Sequence, residues 1–145
     1  MVKDVADFIE AEGLAGPGTD WQISHRRLFE GEDRMVVVTE DGGLEPEIKT
    51  ERGIGSGALE EPVVQIRVRG RPWHSDEAAA KLNEIKAALH SQLHTTIGSG
   101  YYLRVKAQTA EPVFIGFDIG SGSDQGRKGR PEFTMSFRCL RRVAG

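Results

Sequence analysis

The sequence predicts an α+β fold: a mostly antiparallel, mixed sheet with one long helix packed on a face and a short N-terminal helix. Residues 63–69 and 131–142 alternate apolar and polar side chains, which is typical of strands with one buried face. Residues 75–93 carry apolar side chains at helical spacing. Long glycine-rich loops separate these segments, and together they give the element order of an α+β protein.

The N-terminal part predicts a short helix followed by a hairpin. Residues 2–12 form an amphipathic pattern, with Val5 and Ile9 on the apolar face. Residues 21–29 resemble a strand with polar interruptions, and residues 30–33 resemble a hairpin tip. Residues 35–39 are then the returning strand.

Residues 41–61 show no periodicity, because glycine and proline interrupt every pattern. A loop of this length is unusual in a compact domain and is typically functional or disordered. We interpret it as an arm that becomes ordered against a neighbouring molecule.

The middle of the chain predicts one strand and the long helix. Val63–Arg69 alternates strictly. Ser75 is a suitable N-cap for a helix that runs to about Leu93. Its apolar stripe comprises Ala78, Leu82, Ile85, Leu89 and Leu93, while Asp76 and Glu77 occupy the first turn, where the helix dipole favours negative charge.

The C-terminal part predicts strands around a second long loop. Residues 101–109 form a strand that residues 113–117 extend after the break at Pro112. Residues 118–130 are glycine-rich and basic, with too little apolar surface to offset the entropy of ordering. We expect this loop to project as a finger towards something outside the subunit.

The composition indicates one globular domain spanning residues 1–145. Hydrophobic residues make up 38% of the chain and charged residues 28%, and no apolar run approaches the roughly 20 residues that span a bilayer. We therefore expect no membrane segment, and no signal peptide at the N-terminus. Cys139 is the single cysteine, which we expect to be a small buried apolar residue.

Charge is unevenly distributed along the chain. The net charge is −3 and the pI about 5.8, which argues against a dedicated nucleic-acid-binding protein. Acidic residues crowd the first half, whereas the residues from 127 onward carry six arginines and lysines against Glu132 alone. A chain polarised in this way can pair head to tail with copies of itself. Ordinary solvated charge on two separate faces is the alternative.

No pattern in the sequence predicts a catalytic, metal-binding or cofactor-binding site. His90 and His94 have the spacing of half a zinc site, but no third ligand is placed with them. The glycine-rich segments lack the lysine and following helix of a phosphate-binding loop. The sequence therefore predicts no enzyme activity, no catalytic residues, no metal and no cofactor.

Six basic residues are the candidate contacts with nucleic acid or with neighbouring subunits. Three follow one polar face of a strand (Arg67, Arg69 and Arg71), and three lie on the finger (Arg127, Lys128 and Arg130). In a ring of subunits they could line a channel and contact DNA phosphates. Solvent-facing charges paired with acidic residues are the alternative.

Three segments carry a family resemblance: residues 62–70, PVVQIRVRG; residues 78–90, an alanine-rich helix ending Ala-Leu-His; and residues 129–138, GRPEFTMSFR. Together with the acidic N-terminal helix and the Val36–Gly43 segment, they make nearly the whole chain resemble the minor-capsid or tail-terminator family of long-tailed phages. The resemblance implies a small α+β subunit of a homohexameric ring.

The same resemblance implies a structural virion protein of the tail and neck, assembled in the host cytoplasm. Its partners would be further copies of itself, the tail tube protein and the head–tail connector, with non-specific DNA contact in the lumen. A head-side completion or stopper protein and a tail-tube-like protein are close alternatives. A small nucleic-acid-binding module is the alternative from another class.

Overall fold

The computed structural model describes residues 2–25, 33–47, 59–90, 92–97, 100–118 and 129–142. Within these ranges, two helices accompany a mixed sheet of seven strands that curls into a half-barrel. The predicted α+β class, with a long and a short helix beside a mostly antiparallel sheet, is confirmed.

The elements follow one another as α1 (Val2–Ala11), β1 (Gln22–Ser24), β2 (Met35–Glu47), β3 (Leu59–Arg69), α2 (Ser75–Leu89), β4 (Leu93–Ile97), β5 (Gly100–Ala107), β6 (Val113–Asp118) and β7 (Arg130–Arg142). The strand order in the sheet is β1-β2-β3-β7-β5-β4, and β6 pairs with β7. Strands β5 and β6 therefore lie end to end along one edge of β7.

Strand β7 organises the sheet because both of its edges are paired. One edge pairs with β3, where Ile66 lies opposite Met135 and Val64 opposite Phe137. On the other edge, β5 places Val105 opposite Cys139. These apolar residues face the helices, as the alternation in the sequence predicts. The polar residues between them face the opposite side, which we call the open face.

The helices cover one side of the sheet. Helix α2 buries Ala78, Leu82, Ile85 and Leu89 and packs on β7, β3 and β5. Helix α1 buries Val5, Ala6 and Ile9 and contacts β2, β1 and β4. Their buried side chains join those of the strands in one hydrophobic cluster, whose burial is the main source of stability.

Cys139 lies in this cluster with 1% of its surface exposed, as predicted. Burial raises the pKa of its thiol to about 12, so the thiol stays protonated at neutral pH.

Two predictions about α2 are wrong. The helix ends at Leu89, and Leu93 begins strand β4 instead of closing the apolar stripe. The side-chain amide of Gln92 donates to the Ala88 carbonyl (2.9 Å), which satisfies one of the last acceptors at the end of the helix. At the other end, Ser75 is the first helical residue, and His74 precedes it without a side-chain cap.

The predicted N-terminal hairpin is also wrong. Strand β1 pairs with β2 in parallel, with Gln22 opposite Met35 and Ser24 opposite Val37. A tight turn joins only antiparallel neighbours, so β1 and β2 do not form the predicted hairpin. Residues 26–32, which contain most of the predicted tip, lie outside the described ranges. Of the strand predicted at residues 21–29, Gln22–Ser24 forms β1 at the end of the sheet.

The predicted loop at residues 41–61 is partly strand. Strand β2 continues to Glu47 and β3 begins at Leu59, so both ends of the segment lie in the sheet. Register shifts after Glu40 and after Leu44 explain why no period-two pattern marks these residues. Residues 48–58 lie outside the described ranges.

One charged cluster joins the start of β2 to the start of α2. Glu77 forms a bidentate pair with Arg34 and accepts a hydrogen bond from Arg71 Nη2 at 2.6 Å. The Arg34 guanidinium, assisted by Arg71, lowers the pKa of the Glu77 carboxyl from 4.5 to about 2.

Glu77→Gln should therefore destabilise the fold at neutral pH. The carboxylate contributes fully above its unfolded pKa near 4.5, and its contribution is lost as the pH falls towards 2. The free energy of unfolding should drop by about 1–3 kcal/mol at pH 7, after allowance for partial exposure. Denaturant titrations across this range should show the difference from wild type closing near the acid end.

Glu84→Gln is the matched control, because Glu84 pairs with Lys81 at 3.0 Å but is 56% exposed. It should change the stability by less than about 1 kcal/mol. A loss for Glu77→Gln that does not depend on pH would contradict the assigned role.

Candidate docking surface

Large apolar side chains are exposed along one strand. Strand β6 presents Val113, Phe114, Ile115 and Phe117, each between 43% and 48% exposed. Trp73, in the turn between β3 and α2, is 71% exposed and lies beside them. We call these five residues the β6 surface. Patches of this kind on soluble proteins commonly mark interaction sites.

A bulge places the two phenylalanines of β6 on the same face. Phe114 lies opposite Phe133 and Phe117 opposite Pro131, while Gly116 lies opposite Glu132. One extra residue at Ile115 thus shifts the alternation, and Gly116 takes the positive φ of +130° that the distortion requires. Without the bulge, residues 114 and 117 would face opposite sides.

The aromatic rings form a continuous series. The ring centroids of Trp73 and Phe117 are 5.2 Å apart, those of Phe117 and Phe114 5.1 Å, and those of Phe114 and Phe133 5.3 Å. These tilted and edge-on arrangements are favourable aromatic geometries. Because Phe133 also packs against the core cluster, the series joins the exposed Trp73 to the interior.

Trp73 is held in a conformation that is unfavourable for tryptophan. Its φ is +62°, the left-handed region that costs a non-glycine residue on the order of 1–3 kcal/mol. Its amide donates to the Gly129 carbonyl at 2.9 Å. A Cβ on Gly129 would lie 2.5 Å from the Trp73 ring, so only glycine allows this close approach. The exposed ring of Trp73 is therefore held in place by a strained backbone.

The outer edge of β6 adds backbone groups to this surface. Among the described strands, β6 pairs with β7 alone, whereas β4 covers the corresponding edge of β5. Residues 113–117 contain neither a charge nor a proline, two of the devices that protect an edge from pairing with another strand, and Asp118 at the end of β6 is the only charge in the strand. Apolar side chains and an available strand edge therefore occur in the same place.

The structure separates the basic residues that the sequence analysis names as candidate contacts. Arg67 lies on the open face, with Nη1 at 3.8 Å from Glu132 Oε1, and Arg71 is bound to Glu77. Arg69 and Arg130 are 2% and 1% exposed, so the assumption that they lie at the surface is wrong. Arg127 and Lys128 lie outside the described residues.

Asp33 lies beside both buried arginines. Arg130 Nη1 lies 3.7 Å from Asp33 Oδ1, and Arg69 Nε donates to the Asp33 carbonyl at 3.4 Å. A buried guanidinium needs such partners to offset its desolvation. In this arrangement Arg69 and Arg130 serve the fold and are not available to a phosphate.

Other basic side chains occupy the open face. Arg104 and Arg138 each lie 3.7 Å from Glu61, and Lys106 is exposed beside them. A cavity of about 340 Å³ is lined by Lys106, Ala107, Gln108 and Arg138. Sequence reasoning missed this group, although its members alternate with buried residues along β5 and β7.

The described residues offer no metal site. No group of three histidine, cysteine or carboxylate side chains in the described ranges comes together to hold a metal ion. His90 follows α2 and His94 lies in β4, so the helical half-site that their spacing indicates does not form. Instead, Nδ1 of the His90 ring accepts a hydrogen bond from the Ala107 backbone amide at 3.0 Å.

No protein-family model matches the chain, and no curated protein matches its sequence. Neither described helix is both long and apolar enough to cross a membrane. The family resemblance therefore stays a prediction that depends on the sequence segments alone.

Gly129→Ala should displace the Trp73 ring, because the added methyl group would overlap it. Gly18→Ala is a matched control: Gly18 has φ +85° against +84° at Gly129, but a Cβ at Gly18 would meet nothing within 4 Å. Both should lose about 1 kcal/mol from the φ alone. Only Gly129→Ala should also change the acrylamide quenching of Trp73, measured with Trp21 replaced by Phe. Equal quenching in the two variants would refute the contact.

Proposed function

We propose that the chain is a structural virion protein of the tail-terminator type, which forms a ring of identical subunits. The ring caps the tail tube of a long-tailed phage and joins it to the head–tail connector. In this role the chain recognises proteins and transforms no small molecule.

The β6 surface is the observation that carries the proposal. A subunit that remains alone in solution would leave five large apolar side chains exposed, together with a strand edge that no other described strand pairs. A partner protein that covers them would gain the burial of aromatic groups, which dominate the energetics of protein interfaces. The surface thus favours a protein that assembles.

The sequence resemblance supplies the kind of assembly. Its most specific segments coincide with β3, α2 and β7, the three elements that form the centre of the fold. The resemblance therefore concerns the folded unit as a whole and not a single loop. A ring requires heterologous contacts between different surfaces of neighbouring subunits, for which the uneven charge of the chain is suitable.

The open face favours contact with DNA in the lumen as part of this role. Arg67, Arg104, Lys106 and Arg138 lie on it, against the carboxylates of Glu61 and Glu132. The excess of positive charge is small, which suits DNA that passes through without being held. It is also the observation that favours the second candidate, a nucleic-acid-binding module.

The proposal predicts that the chain ends tail-tube growth. Tubes assembled from the tube protein of the encoding phage should lengthen while free tube protein remains. Adding the purified chain should place a ring at one end of each tube in electron micrographs and stop lengthening; the control omits the chain. Tubes that grow unchanged, together with virions that lack the chain by mass spectrometry, would contradict the proposal.

The affinity for duplex DNA distinguishes the tail-terminator role from the second candidate, the nucleic-acid-binding module. The ring protein should bind a short duplex only weakly at physiological salt, in the non-specific range of about 10⁻⁴–10⁻⁶ M. Fluorescence anisotropy that instead gives a dissociation constant near 10⁻⁸ M, of the order seen for specific complexes, would favour the nucleic-acid-binding module.

A further inference from the structure

The β6 surface combines two demands that one occupant must meet. The side chains of Trp73, Phe114 and Phe117 require apolar cover on one face of β6. The outer edge of the same strand offers backbone donors and acceptors that the described part of the chain does not pair. An extended strand laid along β6 supplies both, since its backbone extends the ladder and its alternate side chains cover the rings.

The size of the surface fits part of a protein–protein interface. At 150–250 Å² for a whole aromatic side chain, the exposed fractions of Trp73, Phe114 and Phe117 amount to roughly 250–400 Å². Val113, Ile115 and the strand backbone add to this. A stable complex buries about 800 Å² on each partner, so the β6 surface forms about half of one side.

The charges along β6 are compatible with pairing to a strand from a second copy of the chain. Residues 113–117 carry no charge and only Asp118 ends β6 with one, so a neighbouring strand meets no like charge along most of this edge. Strand β6 contains neither lysine nor proline, two devices that protect the edges of monomeric proteins, and the irregularity in its pairing with β7 is the bulge at Ile115.

We infer that the β6 surface is covered by an extended strand of a second copy of this chain, which pairs with the outer edge of β6. This inference rests on the proposed function in taking association between subunits as the role of the chain. It goes further by assigning the contact to particular residues: Phe114 and Phe117 are the apolar anchors, and Trp73 closes one end of the row.

In this arrangement, the strained turn at Trp73 holds the ring in place for the contact with the second copy. A tryptophan at φ +62° with a mostly exposed ring contributes little to the stability of the single chain. Against a second copy, the same ring is already fixed by Phe117 and Gly129. A side chain that is held in place before binding loses less entropy when it is buried, which increases affinity.

The mass of the purified full-length chain tests the inference. Sedimentation and light scattering, carried to millimolar concentration, should show wild type associating. Phe117→Asp should weaken that association by at least about 30-fold, the loss expected for an anchor residue. Ile115→Lys, which adds a charge to the edge at a 45% exposed position, is a second variant in case Phe117→Asp does not fold.

Tyr101→Asp is the matched control, since Tyr101 is an exposed strand aromatic (36%) outside the β6 surface. Circular dichroism should show all variants folded, and Tyr101→Asp should associate like wild type. A wild type that stays monomeric throughout, or folded Phe117→Asp and Ile115→Lys variants that associate normally, would overturn the inference.

Virion assembly separates this inference from the proposed function. If the chain occupies virions but Phe117→Asp builds normal particles, the assigned contact is wrong and the proposed function stands. If wild type associates through β6 but is absent from virions, the contact stands and the proposed function fails.

Discussion

The fold depends on the pairing of both edges of β7. This strand runs from Arg130 to Arg142, and its inward side chains lie between those of β3 and β5 at the centre of the core. Its first residues pair with β6 beyond the end of β5. The same strand that closes the core therefore also supports the surface where apolar side chains remain exposed. Strand β7 thus contributes both to the hydrophobic core and to the support of the β6 surface.

The regular parts of the fold could be predicted from the sequence. Strict alternation marks β3 and β7, because one face of each strand is buried and the other is not. The leucines and isoleucine of α2 mark its buried face for the same reason. The end of α2 could not be predicted, since Leu93 continues the helical spacing and only pairing with Arg104 in β5 makes it strand.

The candidate surface was harder to predict, because it depends on local irregularity. Alternation alone would place Phe114 and Phe117 on opposite faces, and only the bulge at Ile115 brings their rings together. The proximity of Trp73 to Gly129 links residues far apart in the sequence. Likewise, Arg69 and Arg130 resemble surface charges until the fold places Asp33 between them.

Hydrogen exchange of the β6 backbone tests the central claim most directly, namely that this edge pairs with another copy of the chain. Amides of β6 that face away from β7 should exchange rapidly in dilute protein and more slowly as the concentration rises, because the added strand accepts their hydrogen bonds. Amides of β3, already paired on both edges, should not respond to concentration. Exchange in β6 that stays rapid at every concentration would contradict the account.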